Sequence, residues 1–141
     1  MNRIKVCTKI NKSSSEVFSR FGDGLFERLV PSFATVLRND GIYPGSKVSV
    51  KLPFMKTWHS EIIDVYKGNS YYFTDIGLSG MPFGIIEWRH HHKVVRIDST
   101  SCFIVDDIEF KTGHWFSDFM VSQIFSLSMK MRRGQYKRFF K

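Results

Sequence analysis

The sequence predicts an α+β chain: a curved antiparallel sheet of about seven strands wrapped around one long C-terminal helix, with two short helices after the first strand. Three observations carry this expectation. Apolar and polar residues alternate over 3–10, and strand signals then dominate from about 33 to 110. The connections in that stretch are short turns, which join antiparallel neighbours. Beyond Thr112-Gly113 the apolar period lengthens to that of a helix and holds to about Arg133.

In order, Arg3 to Ile10 reads as a half-buried strand. Ser13 or Ser14 suits a helix cap, and Glu16 stands three residues after Ser13, the spacing of a capping box. Val17, Phe18 and Phe21 give this short helix its apolar face, and Gly22-Asp23-Gly24 ends it. A second short helix, about Leu25 to Val30, stops at Pro31, because the residue before proline is pushed out of helical geometry. Strands follow at Phe33–Leu37, Lys47–Leu52, Glu61–Tyr66 and Ser70–Phe73, with Lys67-Gly68-Asn69 as a hairpin turn. Leu78 to Pro82 reads as a loop. Two long strands, Glu87–Ile97 and Ser101–Phe110, meet at Asp98-Ser99-Thr100. The apolar doublets Ile62-Ile63 and Val94-Val95 interrupt the alternation and mark places for a bulge. The final helix spans about His114 to Arg133, with Phe116, Met120, Ile124, Leu127 and Met131 as its apolar stripe, and Gly134 ends or bends it.

With 141 residues, no internal repeat and no low-complexity linker, the chain reads as one domain over 1–141. The 43% hydrophobic content excludes wholesale disorder. The aromatic surplus, 14 Phe, 5 Tyr and 3 Trp, suits a lined cavity as well as a core. Net charge is +8, with much of the excess in Lys130, Arg132, Arg133, Lys137, Arg138 and Lys141. The reading adopted is a solvated basic end whose Tyr136, Phe139 and Phe140 cover the sheet; no nucleic-acid partner and no stable membrane insertion are expected. Cys7 and Cys102 lack metal-ligand spacing and read as buried free thiols of a cytoplasmic protein, monomeric or homodimeric.

The densest chemical signal is Trp88-Arg89-His90-His91-His92, reached through Phe73-Thr74-Asp75 and Gly80-Met81-Pro82-Phe83. Side chains alternate faces along a strand, so Trp88, His90 and His92 share one face. Glu87, Arg89, His91 and Lys93 take the other, which suits solvent. An aromatic with imidazole tips on a half-buried face is the chemistry of a small-molecule pocket wall.

Phe-x-Asp, a Gly-Pro-Phe-like turn, Trp-x-His-x-His and Asp106-Asp107-Ile108-Glu109-Phe110 on the next strand together resemble the START-like superfamily. This superfamily is also called SRPBCC or birch-pollen-allergen-like, and it includes polyketide cyclase-type proteins. Met81 between Gly80 and Pro82, and Val94 in place of an aromatic, depart from its pattern. The resemblance implies the helix-grip fold and a cavity between sheet and helix that holds a lipid- or polyketide-like molecule. The expected ligand-binding residues are Trp58, Phe73, Trp88, His90, His92, Asp106, Phe116 and Met120. The alternative is a cyclase, dehydratase or hydrolase in which His92 is the acid–base group and Asp106 orients it across the strand pair. The simpler account is that these two satisfy each other in the cavity wall, because buried polar groups must be paired. No cofactor is expected. No metal is expected either, since alternate histidines on a strand are not a ligand signature by themselves.

Overall fold

The computed structural model describes residues 1–141. Its strands are β1 (Asn2–Ile10), β2 (Thr35–Asn39), β3 (Lys47–Lys51), β4 (Thr57–Lys67), β5 (Tyr71–Ser79), β6 (Ile85–Asp98) and β7 (Ser101–Thr112). Its helices are α1 (Ser14–Ser19), α2 (Leu25–Leu29) and α3 (Trp115–Phe139). The strands form one antiparallel sheet in the order β1-β7-β6-β5-β4-β3-β2, so the first strand closes onto the last and every other neighbour is consecutive. The sheet bends where strands carry bulges. One lies between Ile62 and Asp64, at the first apolar doublet. The Val94-Val95 doublet stays in register, and the irregularities of β6 fall instead at Ile85/Glu87 and Arg96/Asp98. A bulge adds an unpaired residue and sharpens the local twist, which curls the sheet around what it covers.

Local chemistry explains most element ends. Ser13 caps α1, its Oγ accepting from Glu16 N at 3.3 Å. Asp98 Oδ1 accepts from Thr100 N at 2.9 Å and Ser101 Oγ at 2.9 Å, pinning the β6–β7 turn. At the start of α3, His114 Nδ1 accepts from Phe116 N at 3.1 Å, and Asp118 Oδ1 takes Thr112 N at 2.8 Å. β5 runs on through Leu78-Ser79, which the sequence reading made loop. β2 starts two residues later than that reading placed it and forms an exposed edge, with Phe33 before it in solvent.

Three sequence expectations are corrected along the chain ends. Cys7 is exposed, because it shares a strand face with Arg3, Lys5 and Lys9; only Cys102 is buried. Gly134 does not end α3, which continues to Phe139. Burial of Tyr136, Phe139 and Phe140 against Val17, Phe18, Phe21 and Leu25 holds that last segment in place. The third concerns the facing of α3. Phe116, Met120, Leu127 and Met131 stand outward, 44–64% exposed, while Val121, Phe125, Met129, Arg132 and Tyr136 turn inward. The helix carries two apolar stripes, and periodicity alone does not choose between them.

Two apolar clusters result. One gathers α1, α2 and the end of α3 over Phe73, Val94 and Ile104. The other packs Val121 and Met129 against Ile4, Val6, Trp88, Ile108 and Phe110. No helix is long and apolar enough to cross a membrane.

Candidate functional site

A cavity of about 710 Å³ opens between the concave face of the sheet and α3. Val48, Val50, Trp58, Ile62, Phe73 and Trp88 form its sheet wall. Phe125, Met129, Arg132 and Tyr136 form its helix wall, and Leu25 and Leu29 of α2 close one side. Its rim includes Phe33, Pro53, Met55, Pro82 and Phe83. Phe83 holds φ 59° in the tight β5–β6 loop, next to Gly84 at 76°. Gly80 (φ 70°) lets this loop reach the start of β4, for a Cβ there would lie 1.8 Å from Thr57 O.

Rings run continuously along the sheet wall. Trp58 meets Trp88 edge-on with centroids 5.0 Å apart, and Trp88 meets His90 at 6.1 Å. His90 stacks on His92 at 3.6 Å, and His92 on Phe73 at 4.3 Å. The strand parity read from the sequence produces this row: Trp88 and His90 are buried, while Arg89 on the opposite face is exposed. On that opposite face His91 Nδ1 pairs with Thr74 Oγ1 at 2.9 Å, away from the cavity.

A polar cluster backs the row. Asp106 accepts from His90 Nε2 at 2.9 Å, from the Tyr136 hydroxyl at 3.0 Å, and from Arg132 Nη1 at 3.4 Å. Asp75 accepts from His92 Nε2 at 2.6 Å. The expected His92–Asp106 pair is therefore replaced. His92 and Asp106 are directly opposite in the β6–β7 ladder, yet His92 Nδ1 and Asp106 Oδ1 are 4.0 Å apart. Each histidine instead reaches a carboxylate one step along the diagonal, a span that long side chains cover.

Burial sets the protonation of this cluster. It pulls the His90 imidazole down to about 4, with His92 adding to the effect, so the ring is neutral at pH 7. Burial alone would raise the Asp106 and Asp75 carboxyls. The His90 bond and the Arg132 charge hold Asp106 well below the usual carboxylate range, and the His92 bond holds Asp75 below it. The Tyr136 phenol is pushed far up by burial and then by Asp106, so it stays a donor.

Of the residues expected from the sequence, Trp58, Phe73, Trp88, His90 and His92 line the cavity. Asp106 sits behind His90 and Arg132 and is 1% exposed. Phe116 and Met120 stand outside, on the outward stripe of α3. Asp75, Arg132 and Tyr136 join the cluster without having been singled out as site residues. Asp75 was visible in Phe-x-Asp, two residues from Phe73 on the same strand face. Arg132 and Tyr136 read locally as part of a basic end, whereas their spacing from Met129 puts all three on one helix face. The Arg132 side chain is only 12% exposed, which corrects the solvated reading of that residue. Asp75, His90 and His92 bring ligand atoms within 4.8 Å of one another, a spacing a metal ion fits. The guanidinium on Asp106 sets a fixed positive charge against the same cluster, which opposes a second cation there.

No family model matches this chain, and no curated protein does. Solved structures do. XoxI from Bacillus cereus superposes with a TM-score of 0.75 at 16% identity, over 99% of this chain and 96% of that one. The Zhui aromatase/cyclase from Streptomyces gives 0.73 at 12%, over 96% and 90%. Norcoclaurine synthase from Thalictrum flavum, solved with dopamine and hydroxybenzaldehyde, gives 0.64 at 12%, over 92% and 86%. At such identities the likeness is one of fold: the chain has the helix-grip architecture expected from its sequence.

Proposed function

We propose that the chain, acting as one domain over residues 1–141, binds a small hydrophobic or aromatic molecule between the sheet and α3. The observation that carries this is the cavity itself, about 710 Å³ and lined mainly by apolar side chains, with its polar groups gathered around His90, His92 and Arg132. That volume falls within the range of small-molecule sites. Apolar burial supplies the affinity, about 25 cal/mol per Å² removed from water. The imidazoles orient the ligand's polar end, and Asp75 and Asp106 fix the imidazoles. A cavity between sheet and helix also fits the fold neighbours, of which one is solved with two aromatic ligands and another is an aromatase/cyclase.

The test is organic extraction of the purified protein with mass spectrometry, beside titration with an apolar naphthylamine fluorophore. Saturable uptake that is lost when Trp88→Arg intrudes on the cavity supports the reading. No extractable molecule and no uptake of any apolar dye would overturn it.

The second reading is a cyclase- or hydrolase-type enzyme, and the 2.6 Å bond between His92 and Asp75 favours it, since such a bond orients an imidazole for proton transfer. Against it, His92 Nε2 is taken by Asp75, which leaves only Nδ1, 4.0 Å from Asp106, to meet a substrate. Turnover of a polyketone that is abolished by His92→Gln, with binding retained, would establish the enzyme; equal loss of both supports the binding module.

A further inference from the structure

We propose that the outward face of α3 docks the protein on an anionic lipid surface, with the helix lying flat in the headgroup layer. This contact is separate from the cavity and does not depend on what the cavity holds.

The face divides along the helix. From Trp115 to Leu127 every exposed residue except Gln123 is large and apolar. Trp115, Phe116, Phe119, Met120, Leu127 and Met131 are 44–74% exposed. From Lys130 onward the exposed residues, Met131 apart, are basic. Spacings of three, four and seven residues carry Phe116, Met120, Leu127 and Met131 onto one outer strip that runs on to Arg138. Lys130, Arg133 and Lys137 flank that strip at the same spacings. The inner stripe already serves the core, where Val121, Met129 and Tyr136 are buried. A helix apolar on two sides is covered on two sides, and a contiguous apolar strip left in solvent marks a contact surface.

Charge selects what covers it. The only acidic residue of α3 is Asp118, and its Oδ1 is spent on Thr112 N and Thr112 Oγ1, both at 2.8 Å. Lys130, Arg133, Lys137 and Arg138 form no salt bridge. A second copy laid helix against helix on this face brings the same cations again and no carboxylate from α3 to meet them. Such an interface desolvates charges that nothing neutralises. An anionic lipid surface supplies both partners at once: acyl carbon under the rings and phosphates beside the cations. The net charge of +8 draws the whole molecule toward such a surface. The 25-residue helix, about 37 Å long, lies along the surface and does not span it, since it is not apolar enough to cross.

The experiment is co-sedimentation of the intact chain with vesicles of phosphatidylcholine alone, and with vesicles in which roughly one third is phosphatidylglycerol. Three variants run beside it. Phe116→Gln with Leu127→Gln removes apolar area from the strip. Lys130→Gln with Arg133→Gln and Lys137→Gln removes its charges. Lys5→Gln with Lys9→Gln and Arg89→Gln takes the same charge from exposed positions on the outer face of the sheet. Every substituted side chain is exposed; should one variant fail to fold by circular dichroism, the other helix variant still tests the face. The intact chain should prefer the anionic vesicles by at least about tenfold. Loss of the three helix charges should weaken binding about 100-fold, at about fivefold per basic residue. The apolar pair should weaken it about tenfold or more, and the sheet-face variant less than about threefold. Trp115 emission should shift to the blue on the vesicles, a change missing from Trp115→Phe. No binding to anionic vesicles overturns the proposal. Equal loss in the sheet-face variant assigns the binding to net charge and overturns it too, as does binding without the Trp115 shift. A dimer in sedimentation velocity that Phe116→Gln with Leu127→Gln dissolves gives the face to a second copy, which is the remaining way for the proposal to fail.

Discussion

His92 Nε2 donates to Asp75 Oδ2 at 2.6 Å, across the β5–β6 pair, while Asp106, directly opposite it on β7, is 4.0 Å from its other nitrogen. The reason is competition for oxygens. Asp106 already accepts from His90, Tyr136 and Arg132, three donors from two elements. One carboxylate organises the helix side of the cluster and the other serves a single imidazole.

That division predicts unequal costs. Asp106→Asn keeps the size but takes the negative charge from beside a buried guanidinium, and breaking one partner of a buried pair costs about 3–5 kcal/mol. Asp75→Asn removes one charged hydrogen bond, worth about 1.5–3 kcal/mol. Urea unfolding monitored by tryptophan fluorescence should rank Asp106→Asn as the more destabilised. An equal or reversed order would show that the Arg132 charge is not balanced by Asp106.

The cavity row was legible in the sequence because strand parity is rigid: Trp88, His90 and His92 had to share a face, whichever face it was. Pairing across strands was not legible. Register says which Cα atoms are opposite, but side chains as long as histidine choose among opposite and diagonal partners, and the winner depends on what else reaches the same oxygen. The end of α3 escaped for a related reason. Gly134 and the basic residues around it carry the local signals of a helix end, and burial of Tyr136, Phe139 and Phe140 overrides them. The bulge at Ile62-Ile63 was visible as an apolar doublet, yet the same doublet at Val94-Val95 stays regular, because Val94 is wholly buried in the ladder between β5 and β7.

The two stripes of α3 should separate sharply in stability. Met129 is 3% exposed and packs in the core cluster, so Met129→Ala should cost about 2–4 kcal/mol. Met120, 44% exposed on the outward face, should lose less than about 1 kcal/mol in the same substitution. Thermal unfolding of the pair checks the facing of the helix directly. A large loss for Met120→Ala would mean that the outward stripe is covered in solution.

Gly80 should tolerate no side chain, since an added Cβ meets Thr57 O at 1.8 Å on a backbone already at φ 70°. The neighbour is backbone, so it cannot swing away. Gly84, at φ 76° with open space around it, carries only the conformational penalty of about 1 kcal/mol. Gly80→Ala should therefore lower the unfolding midpoint well beyond Gly84→Ala, and should loosen the loop that carries Pro82 and Phe83 over the cavity. Similar midpoints for the two variants would contradict the close approach of this loop to β4.

Acid should destabilise the fold in two stages. His90 is neutral in the folded chain down to about 4, whereas an unfolded histidine titrates near 6.5. Between these values the unfolded state binds the extra proton, so the stability due to His90 is complete above about pH 6.5 and is lost as pH falls toward about 4. The depressed carboxyls of Asp75, Asp106 and Asp107 act lower: their contribution holds above the ordinary carboxylate range and is lost only as pH falls below it. Unfolding free energy measured from pH 8 to pH 3 should thus decline first by a few kcal/mol between pH 6.5 and 4, then more steeply. His90→Gln should flatten the upper limb and leave the lower one, because glutamine still donates to Asp106 but does not titrate. An upper limb that persists unchanged in His90→Gln would assign that proton to another group and remove the neutral imidazole from the cavity wall.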